Sequence, residues 1–201
     1  MFSLKKINFL ILLAPLIFAQ GNDPGLLKEV QHKFNSIHSI SADFVQKSNG
    51  EINLSGKFYF MQRNKIRLEL KNSLIVSNGK TNWNYNKLQK KVIISAYDST
   101  NASTLSLRNI IFNYPDKCLV SEVSNDTSKI LKFTAKQDAS LNFKEAKIYI
   151  NKDYLPYKIL IDNPNNNLIE IDFSNFHLNG NLSASLFKFI PPKGSSIVDL
   201  R

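Results

Sequence analysis

Residues 56–86 read GKFYFMQRNKIRLELKNSLIVSNGKTNWNYN, and their period of two decides the fold class. Apolar side chains alternate with polar or charged ones over residues 56–60 and 66–70, and Trp83 and Tyr85 alternate with Asn82 and Asn84 further along. This period is typical of half-buried strands, since successive side chains point to opposite faces of a sheet. Asn78-Gly79 separates two of the runs and favours a tight hairpin turn. The stretch therefore predicts consecutive antiparallel strands.

The same alternation recurs on both sides of this stretch. It runs through residues 52–60, 148–150, 159–161 and 169–173. Turn-forming residues separate the runs, namely Asn49-Gly50, Asn125-Asp126, Asn163-Pro164-Asn165 and Asn179-Gly180. Roughly ten or eleven short strands between such turns indicate antiparallel hairpins in a barrel or sandwich, and the lack of alternating helices disfavours a doubly wound parallel sheet.

Two segments carry a helical period instead. The first begins after Asp23-Pro24, a pair that suits the N-cap and first position of a helix. Its apolar stripe consists of Leu26, Leu27, Val30, Phe34 and Ile37. The second is predicted over residues 101–113 and stops ahead of Pro115, although its β-branched residues would also suit a strand. Its apolar residues are Leu105, Leu107, Ile110, Ile111 and Phe112.

The amino-terminal residues have the pattern of a secretory signal peptide. Lys5 and Lys6 precede an apolar run over residues 9–18, and the small residue Ala19 follows it. The run is shorter than the roughly 20 apolar residues that cross a bilayer. We therefore predict a signal peptide at residues 1–19, cleaved near Ala19, and a single exported domain at residues 20–201. An uncleaved anchor is the alternative.

The net charge and the single cysteine bear on which classes of function are favoured. The formal net charge is +10 at pH 7, but the basic residues are scattered along the predicted strands and form no long run. This distribution favours a solvated positive face over a nucleic-acid site. Cys118 is the single cysteine, so the domain has no internal disulfide. We expect Cys118 to be a small buried hydrophobe.

No constellation of catalytic or metal-binding residues stands out. His32 and His38 do not have the i, i+4 spacing of a helical metal pair, and phosphate-binding loops and nucleophile motifs are absent. Glu170 and Asp172 alternate on the polar side of a predicted strand. We therefore predict neither an enzyme nor a cofactor, although a carboxylate pair for glycoside hydrolysis needs no local motif.

The apolar sides of the predicted strands need a cover that two helices supply only in part. Either the sheet closes around an interior filled by its own side chains, or it curls and leaves a concave apolar space beneath the helices. Trp83 and Tyr85 stand on one side of the last strand in residues 56–86. The residues predicted to line the concave surface are Phe58, Phe60, Ile66, Leu68, Leu74, Val76, Trp83 and Tyr85.

Three separated motifs carry a family resemblance. They are Ala42-Asp43-Phe44-Val45-Gln46, residues 75–86 (IVSNGKTNWNYN) and residues 187–199 (FKFIPPKGSSIVD). In this order, behind a signal peptide, they resemble the periplasmic outer-membrane lipoprotein carrier family, LolA. Its patterns are A-x-F-x-Q, I-V-S-D-G-K-T-x-W-x-Y-N and F-x-F-x-P-P-x-G-x-x-V-x-D. Asn78 stands in place of the family's aspartate.

The resemblance implies a fold and a function. The fold is α+β and mainly antiparallel, a curved and unclosed half-barrel whose helices lid a hydrophobic cavity for the acyl chains of a lipoprotein. The lid would combine the first helix with Leu105, Ile110, Ile111 and Phe112. The function implied is a monomeric periplasmic carrier that takes acylated lipoproteins from an inner-membrane ABC-type transporter to an outer-membrane acceptor. A periplasmic lipid- or protein-sensing adaptor of related fold is the alternative.

One position departs from the family pattern. Members have Arg-Pro or Lys-Pro after the second strand, and that arginine is thought to hold the lid shut. An ungapped alignment from Gly56 places Gln62 at the Arg position and Arg63 at the Pro position, whereas a shift of one residue places Arg63 at the Arg position. Gln62 and Arg63 are therefore the candidate lid latch, with an ordinary surface arginine as the alternative.

Overall fold

The computed structural model describes residues 25–97, 108–125, 128–139, 141–165 and 167–201. These ranges hold one α-helix, α1 (Gly25–Ser36), and twelve strands. The strands are β1 Ser39–Ser48, β2 Glu51–Met61, β3 Lys65–Leu70, β4 Ser73–Asn78, β5 Thr81–Asn86, β6 Lys91–Ala96, β7 Cys118–Asn125, β8 Ser128–Ala135, β9 Glu145–Ile150, β10 Pro156–Asp162, β11 Leu168–Leu178 and β12 Ser196–Asp199. Short helical turns are Asn109–Asn113, Pro115–Lys117 and Ala184–Phe187. The predicted signal peptide, Asp23-Pro24 and Leu105 lie outside the described residues.

All twelve strands form one sheet in the order β12-β6-β5-β4-β3-β2-β1-β11-β10-β9-β8-β7. Neighbouring strands are antiparallel except β12, which pairs in parallel with β6. The two end strands, β12 and β7, do not pair with each other among the described residues, so the sheet is not closed into a barrel. This confirms the prediction of an unclosed, mainly antiparallel sheet. The predicted strand number was low, because four-residue β12 is too short to display a period.

The hairpin turns follow the predicted turn chemistry. Asn49 and Gly50 connect β1 to β2 with φ of 51° and 88°, the positive values that a tight type I′ turn requires. Asn78 accepts backbone hydrogen bonds from Lys80 and Thr81 at its Oδ1 and so fixes the β4–β5 turn. Gly79 has φ of 88°, and a Cβ there would lie 2.2 Å from the backbone oxygen of Arg63. The β4–β5 turn is therefore packed closely against the β2–β3 turn.

The core lies on one face of the sheet, which we call the inner face because α1 packs against it. The sheet contributes buried Phe44, Phe58, Leu68, Leu131, Phe133, Ile148, Ile159, Ile171 and Phe173 to this core. From the covering elements come Leu26, Leu27 and Val30 of α1 and Ile110 and Ile111 of the Asn109–Asn113 turn. The apolar stripe predicted for the first helix is thus the surface that it buries. The side chains of α1 and of the sheet that face each other are buried in this common core.

The outer face of the sheet carries a separate apolar layer. Val76, Val92 and Ile94 are buried there together with Phe187, and none of the four belongs to the inner core. The chain's last residues cover them, since the Ala184–Phe187 turn packs on β3 and β4 and β12 extends the sheet beyond β6. The outer face is therefore apolar at β4–β6, where the carboxy-terminal segment covers it, whereas α1 packs against the inner face.

Candidate functional site

The strand register places half of the predicted lining residues on the inner face. Phe58 pairs with Leu68, and Phe60 pairs with Ile66. Because directly opposed residues of antiparallel strands share a face, these four side chains lie side by side. Phe58 and Leu68 are buried in the inner core, and Phe60 and Ile66 are half-buried against it. These four residues form the apolar surface beneath the covering elements.

The other four predicted lining residues point the opposite way. Val76 pairs with Arg67 on one side and Trp83 on the other, and Leu74 pairs with Tyr85, which puts all of them on the outer face. The prediction that the eight residues line one surface is therefore wrong. The cause is the uninterrupted apolar run at residues 74–76, which can be read in either phase of a two-residue period. It is Ile75 that shares the inner face with Leu68.

The aromatic side of β5 packs beneath the chain's own carboxy-terminal segment. The rings of Tyr85 and Phe189 are 5.7 Å apart between centroids. Arg67 of β3 donates from Nη1 to the carbonyl oxygen of Leu186 at 3.1 Å. Two of the three motifs that carry the family resemblance, residues 75–86 and residues 187–199, thus contact each other on the outer face. Trp83 and Tyr85 are packing residues of that face.

Two polar contacts fasten α1 over the inner face. The backbone N–H of Leu26 donates to Oε2 of Glu122 on β7 at 3.3 Å. At the middle of the helix, Nε2 of Gln31 donates to the carbonyl oxygen of Ile111 at 3.0 Å. A carboxylate at the first turn also suits the positive end of a helix dipole. The segment around Glu122 carries no recognisable motif, so the sequence did not predict its contact with α1.

The predicted lid residues at 110–112 do lie over the inner core. Ile110 and Ile111 are almost fully buried, and Phe112 is half-buried. The guanidinium of Arg108 sits 4.6 Å from the centroid of the Phe112 ring, within range of a cation–π contact. The described part of the predicted second helix is a single π-helical turn at Asn109–Asn113. This turn and α1 are the described elements that cover the inner face.

Gln62 and Arg63 occupy the β2–β3 turn at one rim of the sheet. The Gln62 backbone N–H donates to the carbonyl oxygen of His38 at 3.0 Å, and its side-chain amide lies 2.8 Å from Nδ1 of His38. Gln62 thereby ties the turn to the residues that follow α1. Arg63 has φ of 67°, which a proline ring cannot adopt, so the family's Arg-Pro geometry is not possible at this turn. Within the described chain, the Arg63 guanidinium makes no hydrogen bond or ion pair.

A cavity of about 350 Å³ opens at the same rim. Its lining combines apolar Phe34, Ile37 and Phe60 with Asn35, Gln62, Arg63, Asn64 and Arg108. Phe60 therefore reaches from the inner core to this opening. The volume is at the low end of the roughly 300–1,000 Å³ of ligand pockets, and most of the lining residues are polar or charged.

The reactive side chains that the sequence pointed to, Cys118, Glu170 and Asp172, are engaged in packing or in ion pairs. Cys118 is buried as predicted, and burial raises the pKa of its thiol, which keeps it unreactive. Glu170 and Asp172 lie on the outer side of β11 and both contact Lys47 and Lys158. The hydrogen bond from Lys47 is the main reason that the pKa of Glu170 falls to about 2, which suits an ion pair and not a proton donor. No metal-binding cluster occurs among the described residues.

Comparison with known proteins identifies the class to which this fold and site belong. The sequence model described as outer membrane lipoprotein carrier protein LolA matches residues 35–190, and the chain belongs to this family. An outer-membrane lipoprotein carrier protein of Shewanella sp. (strain MR-4) is 26% identical over 208 residues, which cover 98% of each chain. An uncharacterized protein of Methanocaldococcus jannaschii is 26% identical over 205 residues, and the match spans 94% of this chain but 58% of that relative.

A solved structure has the same fold. An uncharacterized conserved protein of Thermus thermophilus superposes with a TM-score of 0.58 at 16% sequence identity, over 87% of this chain and 96% of that one. In the described part of this chain, no helix has the length and apolar character to cross a membrane.

Proposed function

We propose that this protein is a non-enzymatic periplasmic carrier that binds the acyl chains of lipoproteins on its inner face. The observation that carries the proposal is the unclosed sheet, whose inner apolar surface is covered, within the described part of the chain, by the 12-residue α1 and one short helical turn. The family match supports the same role. Phe58, Phe60, Ile66 and Leu68 are the predicted residues that would contact the acyl chains, and Ile75 joins them by register.

The energetics of acyl chains explain why such a carrier is needed. Each methylene moved from water to an apolar site is worth about 0.8 kcal/mol. A lipoprotein with two or three long chains therefore loses on the order of 25–35 kcal/mol when all of them are exposed to water. A carrier has to cover these chains and still release them. Moderate affinity with a movable cover meets both requirements.

Binding of cargo would require the covering elements, α1 and the Asn109–Asn113 turn, to move. Because apolar side chains of α1 and of the Asn109–Asn113 turn are buried against the inner face, an acyl chain would reach that face when these two elements move away from the sheet. The contacts that would break are those of Leu26 with Glu122 and of Gln31 with Ile111. Both are single hydrogen bonds, each worth about 1 kcal/mol or somewhat more for the charged partner. The inner apolar contacts of the cover would be exchanged for contacts with the acyl chains.

The partners in this proposal follow from the direction of transport. Loading from a membrane requires work, and the described residues contain no nucleotide-binding motif. An inner-membrane ABC-type transporter would supply that work. Release would go downhill to an outer-membrane acceptor with tighter binding. In this scheme the protein acts as a monomer and exchanges its cargo at both membranes.

The direct test measures whether the purified protein keeps a triacylated lipoprotein soluble without detergent. We expect the two to co-migrate in gel filtration, and Phe60→Glu to lose at least about tenfold in binding because a charge would face the acyl chains. Tyr59→Glu is the matched control, since Tyr59 is half-buried on the outer face of the same strand. Precipitation of the lipoprotein beside a folded wild-type protein would refute the proposal, as would equal binding by folded Phe60→Glu.

A further inference from the structure

The turns at one end of β3–β6 gather lysines around an exposed leucine. Lys71 belongs to the β3–β4 turn, and Lys87, Lys90 and Lys91 belong to the β5–β6 turn or its border. All four lysines are exposed, and Leu88 at the turn itself is 74% exposed. We call these five residues the basic tip. Exposed large apolar side chains that are ringed by charge often mark an interaction surface.

Hydrogen bonds hold the two turns of the basic tip together. Nζ of Lys87 donates to the carbonyl oxygens of Leu70 and Lys71, at 2.6 and 3.3 Å, and its backbone N–H donates to Asn72 at 2.9 Å. The carbonyl oxygen of Lys90 accepts from the backbone N–H of Ser196 at 2.8 Å. The second contact brings the turn that contains exposed Lys193 to the same end of the sheet.

Leu88 projects from a turn whose backbone is fixed. Oδ1 of Asn86 accepts hydrogen bonds from the backbone N–H groups of both Leu88 and Gln89, each at 3.0 Å. Lys90 completes the turn with φ of 49°. An apolar side chain held outward in this way gains nothing from the protein's own core. Leu88 is thus presented to solvent in the same turn as Lys87 and Lys90.

The surroundings of the basic tip contain little negative charge. The sequence between Glu69 and Asp98 has no aspartate or glutamate. Glu69 itself is engaged by Nε of Arg67 at 2.7 Å. The tip therefore presents lysine charges that are not neutralised by neighbours in the sequence, and their field would attract an anionic surface.

We propose that the basic tip docks on bilayers that contain anionic phospholipid, with Leu88 entering the interface and the lysines facing the headgroups. Each lysine near such a surface adds to the attraction, and one aliphatic side chain adds burial. The cations are lysines and no aromatic ring flanks Leu88 in the turn, whereas nucleic-acid surfaces combine arginine with stacking aromatics. An acidic protein partner would leave Leu88 without an explanation.

Docking in this manner would leave the rim cavity accessible. The Arg63 turn and the basic tip lie at opposite ends of β3, which has six residues and spans about 20 Å. A membrane at the tip therefore does not cover the opening beside Phe60. This inference goes beyond the carrier proposal and does not depend on it, because vesicle binding needs no cargo.

The test is co-sedimentation of the mature protein with vesicles of phosphatidylcholine alone or mixed equally with phosphatidylglycerol. We expect binding to the anionic vesicles only, with strong weakening at high salt. Lys90→Glu/Lys91→Glu should lower the affinity by at least about tenfold, since each lysine contributes on the order of 1 kcal/mol near the surface. Leu88→Ser should lower it several-fold at unchanged net charge.

Matched controls separate the basic tip from the overall charge. Lys117→Glu/Lys152→Glu changes the net charge equally at two exposed lysines outside the tip, and Leu119→Ser removes an exposed leucine from β7 at the far end of the sheet. Both should bind like the wild type. The proposal is overturned if folded wild-type protein does not prefer anionic vesicles, if the controls lose as much affinity as the tip variants, or if the tip variants lose binding to duplex DNA or polyglutamate and keep vesicle binding.

Discussion

Gly56 shows how a single residue limits the sheet. A Cβ at this position would lie 2.0 Å from the backbone oxygen of Glu69 and 3.1 Å from Cδ2 of Leu70. The first of these atoms belongs to the backbone of β3 and cannot turn aside as a side chain would. The close approach of β2 and β3 at this point therefore requires glycine.

We predict that Gly56→Ala lowers the free energy of unfolding by about 1–3 kcal/mol or more, because the two strands must separate to admit a methyl group. Gly180→Ala is the control, since a Cβ there meets nothing within 4 Å, and it should change stability by less than about 0.5 kcal/mol. Urea unfolding followed by the fluorescence of the single tryptophan, Trp83, measures both. Equal stabilities for the two variants would contradict the close-approach argument.

The covering elements act as a unit through one side chain. Gln31 of α1 and Ile111 of the Asn109–Asn113 turn share a hydrogen bond, and both elements contribute to the inner core. A cover built from a short helix and a single turn depends on such a contact, because short helices have little stability of their own.

We predict that Gln31→Ala loosens the cover without unfolding the sheet. The carbonyl oxygen of Ile111 would lose its partner, at a cost of about 1–2 kcal/mol that is confined to α1 and the 109–113 turn. Hydrogen–deuterium exchange should therefore rise in these two segments and stay unchanged in β9–β11. Gln89→Ala, at an exposed turn position, serves as the control. Exchange that is unchanged in α1 would show that this bond does not hold the cover.

The four-residue ion-pair cluster joins three neighbouring strands on the outer face. Lys47 of β1 and Lys158 of β10 each contact both Glu170 and Asp172 of β11, at distances of 2.7 to 3.3 Å. The hydrogen bond from Lys47 is the main cause that lowers the pKa of Glu170 from 4.5 to about 2. The pKa values of both lysines are raised.

The lowered pKa of Glu170 predicts acid sensitivity. A carboxyl group with a lower pKa in the folded state stabilises the fold above its unfolded pKa, and this contribution is lost as pH falls from about 4.5 to about 2. The contribution of the lysines is lost only at the alkaline end, above 10.5. The Tm of the wild type should exceed that of Glu170→Gln near neutral pH and converge with it below this acid window. A constant difference at all pH values would contradict this role.

For the whole molecule, local sequence patterns predicted the strands and turns, whereas they did not predict which parts of the chain pack against each face of the sheet. The period of two, Asn49-Gly50 and Asn78-Gly79 determine strands and turns through short-range chemistry, so these features were read correctly from the sequence. Trp83 and Tyr85 were assigned to the wrong face because the carboxy-terminal segment that covers them is about a hundred residues away. The two-residue period shows that each strand has two faces, but it does not show which segment of the chain covers each face.

The packing on the two faces also changes how the family motifs are interpreted. Residues 75–86 and 187–199 meet on the outer face, so their shared pattern reflects the attachment of the carboxy-terminal segment. Asn82, Asn84 and Asn86 are the β5 residues that share the inner face with Ile75. The apolar inner surface thus ends near β4 on this side of the sheet.

The central claim, that acyl chains bind on the inner face, is tested most directly by photocrosslinking. A benzophenone amino acid placed at Phe60 or Ile66 would face the inner core, and the same group at Tyr59 or Tyr85 would face outward. After irradiation with a triacylated lipoprotein, we predict adducts to the acyl chains at Phe60 and Ile66 and none at Tyr59 or Tyr85. Adducts confined to the outer positions, or none at the inner positions of a protein that retains the lipoprotein, would contradict the account.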